Sequence, residues 1–161
     1  MRLRRLSVAL LPLAFSACLS GTDYSTNVTP AVPIEQTTFA ASLNVDLAQS
    51  TKTASGLYIR DLTVGTGAAA TSVYPTSVYY AGYLATGQRF DFRASPSQPF
   101  AITAASGRVI AGWEEGIVGM KVGGTRQLII PPSLAYGAAG YPPDIPANAV
   151  LVFTVQLVSI P

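Results

Sequence analysis

Ile110, Trp113, Ile117 and Met120 stand three, four and three residues apart, which lines their side chains along one face of a helix of about three turns. Gly123-Gly124 marks the expected stop of that helix. A single amphipathic helix cannot bury its own apolar stripe, and a sheet face is its natural cover. The flanking sequence supplies strands. Residues 76–84 (TSVYYAGYL) are rich in β-branched and aromatic side chains, residues 85–87 (ATG) form a turn, and Arg89-Phe90-Asp91 begins the returning strand. Residues 99–103 and 125–130 are further short strand candidates. In the last strand, 149–160, Leu151, Phe153, Val155 and Leu157 alternate onto one face. The expected fold class is α+β, a curved antiparallel sheet wrapped around one short helix, spanning residues 56–161.

Composition narrows the chemistry. The chain has 161 residues, 49% apolar and only 11% charged, enough to build one real core and too few charges for a disordered chain. It contains no histidine and one cysteine, which excludes Ser-His-Asp and Cys-His nucleophiles, His-ligated metal centres, internal disulfides and zinc clusters. A formal charge of +2 gives no basis for a nucleic-acid surface. The adjacent Glu114 and Glu115 point about 100° apart on a helix, so they suit dipole complementation in a first turn better than paired acid–base work. Gly65-Thr66-Gly67 lacks the flanks of a phosphate loop. No metal and no cofactor is expected.

The N-terminus reads as a targeting segment. Arg2, Arg4 and Arg5 precede the apolar run 6–15 and the small residues Ser16-Ala17-Cys18, the pattern of a secretory signal. The run is shorter than the roughly 20 residues a spanning helix needs. Cys18 resembles the lipidated cysteine of a bacterial lipobox, with Phe15 where Leu, Val or Ile is usual. Ordinary cleavage after Ala14-Phe15-Ser16, or a buried helix with an incidental cysteine, are the other readings. Lipidation is the expectation, because the sole cysteine falls where that chemistry requires it. Residues 1–17 are then a signal peptide, and its removal takes three of ten basic residues, leaving seven against eight acidic ones. Residues 18–55 are expected to form a flexible tether, with twelve Ser or Thr and four charges in 19–55. Such a tether spans on the order of 35 Å r.m.s.. The more apolar piece around Phe39, Leu43, Val45 and Leu47 is a candidate to pack on the domain, and a monomer is the expected state.

An ordered set of motifs then carries a resemblance. Tyr80-Ala81-Gly82, Gly87, Phe90-Asp91, Phe100 and Val109-Ile110 lead into Gly112-Trp113-Glu114-Glu115-Gly116, Met120 and Gly123. Pro131-Pro132, Ala135-Tyr136-Gly137, Gly140, Ile145-Pro146, Asn148-Ala149 and Leu151-Val152-Phe153 follow in order. The pattern resembles the FKBP family of peptidyl-prolyl cis/trans isomerases over essentially all of 56–161, and the tethered architecture resembles bacterial lipoprotein members of that family. The resemblance implies a five- to six-stranded sheet curled around one helix, with the site between them. It implies Trp113 as floor, Tyr80, Phe90, Val109 and Phe153 as walls, and Phe100 closing one side. Ile145 is implied on the loop that covers the pocket. Asp91 is the implied polar wall residue, and the Ile110 backbone N–H and the Tyr136 hydroxyl are the implied donors to a ligand.

The activity so implied is isomerisation of X-Pro bonds in exported, folding proteins at the bacterial cell envelope, anchored through Cys18 on the outer membrane or facing the periplasm where the host has two membranes. Partners are proline-containing peptides and folding chains, and macrolides such as tacrolimus. The alternative is a low-turnover chaperone or interaction module that grips proline-containing segments. Four departures bear on ligand preference: Phe92-Arg93 where the family commonly has Ser-Ser, Pro96 where many members have an arginine holding the aspartate, Tyr141 where vertebrate members have His, and Asp144 at a usually apolar contact.

Overall fold

The computed structural model describes residues 30–72, 75–95, 97–103 and 106–160. Among these residues seven strands form one antiparallel sheet: β1 (Thr51–Lys52), β2 (Tyr58–Thr63), β3 (Pro75–Leu84), β4 (Arg89–Arg93), β5 (Phe100–Thr103), β6 (Thr125–Ile130) and β7 (Leu151–Ser159). Their order across the sheet is β1-β2-β6-β7-β3-β4, with β5 on the far part of β3. The five strands legible as alternating or β-branched runs all appear. The unread strands, β1 and β2, add one edge; the adjacent charges Arg60 and Asp61 interrupt the alternation of β2.

The helix α1 (Ala111–Ile117) is two turns rather than three. Ile110 is its N-cap residue and accepts the Trp113 N–H at 2.9 Å. The helix ends before Val118, and Gly119, at φ +82°, turns the chain away four residues earlier than the Gly123-Gly124 stop expected from sequence. Met120 is still buried, because the chain after the helix doubles back: Gly119 donates to the Ala70 carbonyl and Ala70 to the Met120 carbonyl.

Helix and sheet approach closely because α1 presents glycines to β6. A Cβ at Gly112 would lie 2.4 Å from Ile130, and one at Gly116 would lie 2.6 Å from Leu128. Ile117, Leu128, Ile130, Leu151, Val155 and Leu157, all fully buried, fill the layer between them. Arg126 ties the far end of the helix to the sheet. Its guanidinium donates to both Asp61 carboxylate oxygens, at 2.7 and 3.0 Å, and to the Gly116 and Val118 carbonyls, satisfying acceptors that a helix end leaves open.

Residues 30–55 are not a flexible tether, and the folded unit begins well before residue 56. Two short 3₁₀ turns, Ile34–Gln36 and Ala41–Leu43, lie on the convex side of the sheet. Ile34 and Leu43 are buried there against Tyr58, Ile129, Val150 and Val152, with Phe39, Ala40, Val45 and Leu47 packed around them. The apolar piece singled out by sequence does pack on the domain. Composition misleads here because the few apolar anchors keep no regular period and polar ties to the sheet supplement them. Gln127 donates to the Leu43 carbonyl at 2.8 Å, Arg60 to the Asn44 carbonyl at 3.0 Å, and Ala40 N–H to the Ala85 carbonyl at 2.9 Å. The signal peptide and Cys18 lie outside the described residues, as does Pro96.

Candidate active site

Phe90 and Asp91 are neighbours in a strand, where alternate side chains ordinarily face opposite ways. A bulge resolves this. Gly82 pairs with Asp91 but Tyr83 pairs with Arg89, so Phe90 is the extra residue of β4. The unpaired residue lets both side chains turn to the concave side. Gly82 makes room for them: a Cβ there would stand 2.5 Å from the Phe153 ring and 2.9 Å from Phe90.

Between β3, β4, β7 and the start of α1 lies a cavity of about 200 Å³. Trp113 is 4% exposed and forms its base, with edge-to-face contacts to Tyr80 at 4.9 Å and Phe153 at 5.1 Å. Phe90 stands edge-on to Phe153 at 5.5 Å, and Phe100 to Tyr80 at 5.8 Å. Such perpendicular pairings suit the ring quadrupoles and hold the walls in place. Val109 and Ile110 complete the apolar lining, and Asp91 and Tyr136 supply polar groups.

The Tyr80 hydroxyl donates to Asp91 Oδ2 at 2.7 Å. Burial first, then that hydrogen bond, pushes the Tyr80 hydroxyl well above its ordinary pKa; the charge of Arg93, opposite Tyr80 in register, partly offsets this. Tyr136 is raised in the same direction, by burial and then by the negative charge of Asp91 and by Tyr141. Its ring lies 5.4 Å from that of Tyr141. Both phenols therefore remain protonated donors at neutral pH. The backbone N–H of Ile110, ahead of the helix, has no hydrogen-bond partner among the described residues. The Trp113 Nε1 is likewise buried and unpartnered among them.

Of the residues to which the resemblance assigns a place in the pocket, all line this cavity except Ile145. That side chain is 3% exposed and belongs to the main core, not to the cavity lining. Tyr141 and Ile145 exchange backbone hydrogen bonds at 2.8 and 2.9 Å. The closed turn throws Tyr141 outward, 61% exposed, and folds Ile145 inward. Asp144, on the same turn, is also absent from the lining. One lining residue, Arg108, escapes the sequence reading. It lies in no strand or helix, so no period marks it.

Residues 68–158 match the family FKBP-type peptidyl-prolyl cis-trans isomerase. The chain is 44% identical over 105 residues to an FK506-binding protein of Neisseria meningitidis serogroup B, covering 65% of this chain and 96% of that one. It is 47% identical over 110 residues to FK506-binding protein 4 of Rhizopus delemar, covering 68% of this chain and 28% of the fungal protein. Among solved structures, FkpA from Escherichia coli superposes with TM-score 0.63 at 37% identity, over 70% of this chain and 51% of FkpA. A peptidyl-prolyl cis-trans isomerase from Pseudomonas syringae superposes with TM-score 0.64 at 31% identity, over 74% and 86% of the two chains. The chain thus spans under a third of its fungal relative and about half of FkpA.

Proposed function

The chain belongs to the FKBP-type peptidyl-prolyl cis-trans isomerase family, and on that premise we propose that it accelerates rotation about X-Pro bonds in exported proteins. The observation that carries this reading is the aromatic cavity over Trp113 with Asp91, Tyr136 and the unpartnered Ile110 N–H at its edge. About 200 Å³ suits one cyclic side chain, below the roughly 300–1,000 Å³ of sites that engulf a drug-sized ligand. A proline ring fits this space, and a macrolide such as tacrolimus would enter it by one ring only.

Uncatalysed X-Pro isomerisation takes tens to hundreds of seconds because rotation breaks amide conjugation. The twisted amide has less charge separation than the planar one, so a site with few polar groups favours it over the ground state. Each ~1.4 kcal/mol of such preference is tenfold in rate. Trp113, Phe90 and Phe153 hold the ring. The Ile110 N–H and the Tyr136 hydroxyl bias the substrate carbonyls as the bond rotates, and Asp91, anchored by Tyr80, supplies the fixed negative end of the local field. No nucleophile is needed, in keeping with a chain that has no histidine.

Export and anchoring belong to the same proposal. The basic start, the short apolar run and Cys18 after Ser-Ala support a lipid-anchored protein of the bacterial envelope. An NMR exchange or protease-coupled assay on Leu-Pro and Phe-Pro peptides tests the activity, with acceleration at micromolar protein expected. Absence of acceleration there would leave a binding module and sink the enzyme. Intact mass of membrane-fraction protein tests the anchor, which fails if Cys18 carries no lipid mass.

A further inference from the structure

We propose that Arg108 makes this site select substrates with an acidic side chain flanking the proline, an inference that rests on the cavity being the proline site. Arg108 and Asp91 are the two charged residues of the cavity lining. Asp91 already accepts the Tyr80 hydroxyl. Arg108 is exposed, and its guanidinium has no hydrogen-bond or ion-pair partner among the described residues. Arg126 is engaged with Asp61, Arg60 with the Asn44 carbonyl and Arg89 over the Phe92 ring at 4.1 Å, and Arg93, which also has no such partner among the described residues, does not line the cavity.

Position turns that unpaired cation into a reader of sequence. Beside the cavity runs a wider groove of about 720 Å³ along β5. Phe100, Val109 and Arg108 line both spaces and form the partition between them. An extended peptide advances about 3.3–3.6 Å per residue, so a chain with its proline ring over Trp113 that leaves past this partition carries its next side chain beside Arg108. The base of Arg108 is held in place. Gly107 N–H donates to Glu114 Oε1 at 2.6 Å, Arg108 N–H reaches Ser106 Oγ, and two residues on Ile110 caps α1. The Glu114 carboxylate is turned to that backbone N–H and makes no ion pair with Arg108. A guanidinium fork on a fixed stem suits a carboxylate from the substrate.

The test compares peptides that carry Glu or its neutral isostere Gln immediately before or immediately after proline. At low salt the wild-type protein should show a Glu/Gln ratio of kcat/KM of about 1.5 to 5 at one of the two positions, the range of an exposed ion pair. R108Q should bring that ratio to about one and R108E should invert it. The position that responds gives the direction in which the substrate crosses the partition. Raising salt to molar concentration should flatten the wild-type ratio, since the screening length falls to about 3 Å. A ratio of one at both positions in the wild-type protein, or a ratio unmoved by R108E and R108Q, overturns the inference. If neither Gln peptide is accelerated, the isomerase reading fails instead, and the same Glu/Gln ratio taken from Kd values by NMR titration then decides the role of Arg108.

Discussion

Strand β7 shows both faces of the sheet at once. Leu151, Phe153, Val155 and Leu157 look to the helix, whereas Val152 looks to the segment around Ile34 and Leu43. The concave face is covered by a regular element drawn in tightly by Gly112 and Gly116. Seven helical residues cannot cover a sheet of this width, and the uncovered part is lined by aromatic rings that stop short of closing over one another. The convex face is covered by an irregular strap with a handful of apolar side chains and several hydrogen bonds to sheet and turn. The cavity thus lies on the concave face, and the strap packs on the opposite one.

Removing apolar volume from each face is the strongest test of that division. Leu128→Ala should cost about 2–5 kcal/mol, because Leu128 is wholly buried against Gly116 and the site cannot collapse. Leu43→Ala should cost about 2 kcal/mol, the low end of that range, since the strap can settle toward the sheet. Both are read by denaturant or thermal melts. Below its melting temperature Leu43→Ala should keep the isomerase rate of the parent. A Leu43→Ala protein that stays folded yet loses turnover would show the strap to be coupled to the cavity.

Asp91→Ala should reverse the pattern, lowering kcat/KM by about tenfold or more through loss of a charge-assisted contact. The melt should hardly change, because the substitution removes no large buried apolar surface. An Asp91→Ala protein mostly unfolded at the assay temperature would make Asp91 a structural residue.

The smallest effect concerns the strap's ionic tie. Glu35 is bonded by Lys52 at 2.6 Å and by the Tyr58 hydroxyl, and these bonds pull its carboxyl down to about 2 from an ordinary 4.5. A depressed carboxylate stabilises the folded state above its unfolded pKa and loses that contribution as pH falls through its folded one. The difference in melting temperature between the parent and Glu35→Gln should be fully present above about pH 5 and should shrink as pH falls toward about 2. A difference constant across that window would mean that the tie adds nothing through its charge.

Most of the fold was legible because burial imposes a period along the chain. The alternation in 149–160 and the β-branched run in 76–84 name the two strands that lie side by side at the centre of the sheet, and the stripe from Ile110 names the helix. The apolar residues around Phe39 and Leu43 hinted at the strap, but its extent stayed hidden because backbone carbonyls and lone polar side chains complete its hold. Ile145 reads as a covering residue in the linear pattern, yet a backbone bridge to Tyr141 sends it to the core. Arg108 has no pattern to announce it.

The sequence alone determined the α+β class, the apolar faces, the lack of a histidine or thiol nucleophile in the domain, and which aromatic residues gather. Each follows from side-chain chemistry and local spacing. Tertiary structure alone decided that Phe90 and Asp91 face the same way, that the helix stops at two turns, and that the domain extends back to Ile34. Those outcomes depend on partner strands far along the chain, whose register fixes where a bulge, a helix end or an unpaired carbonyl can be accommodated.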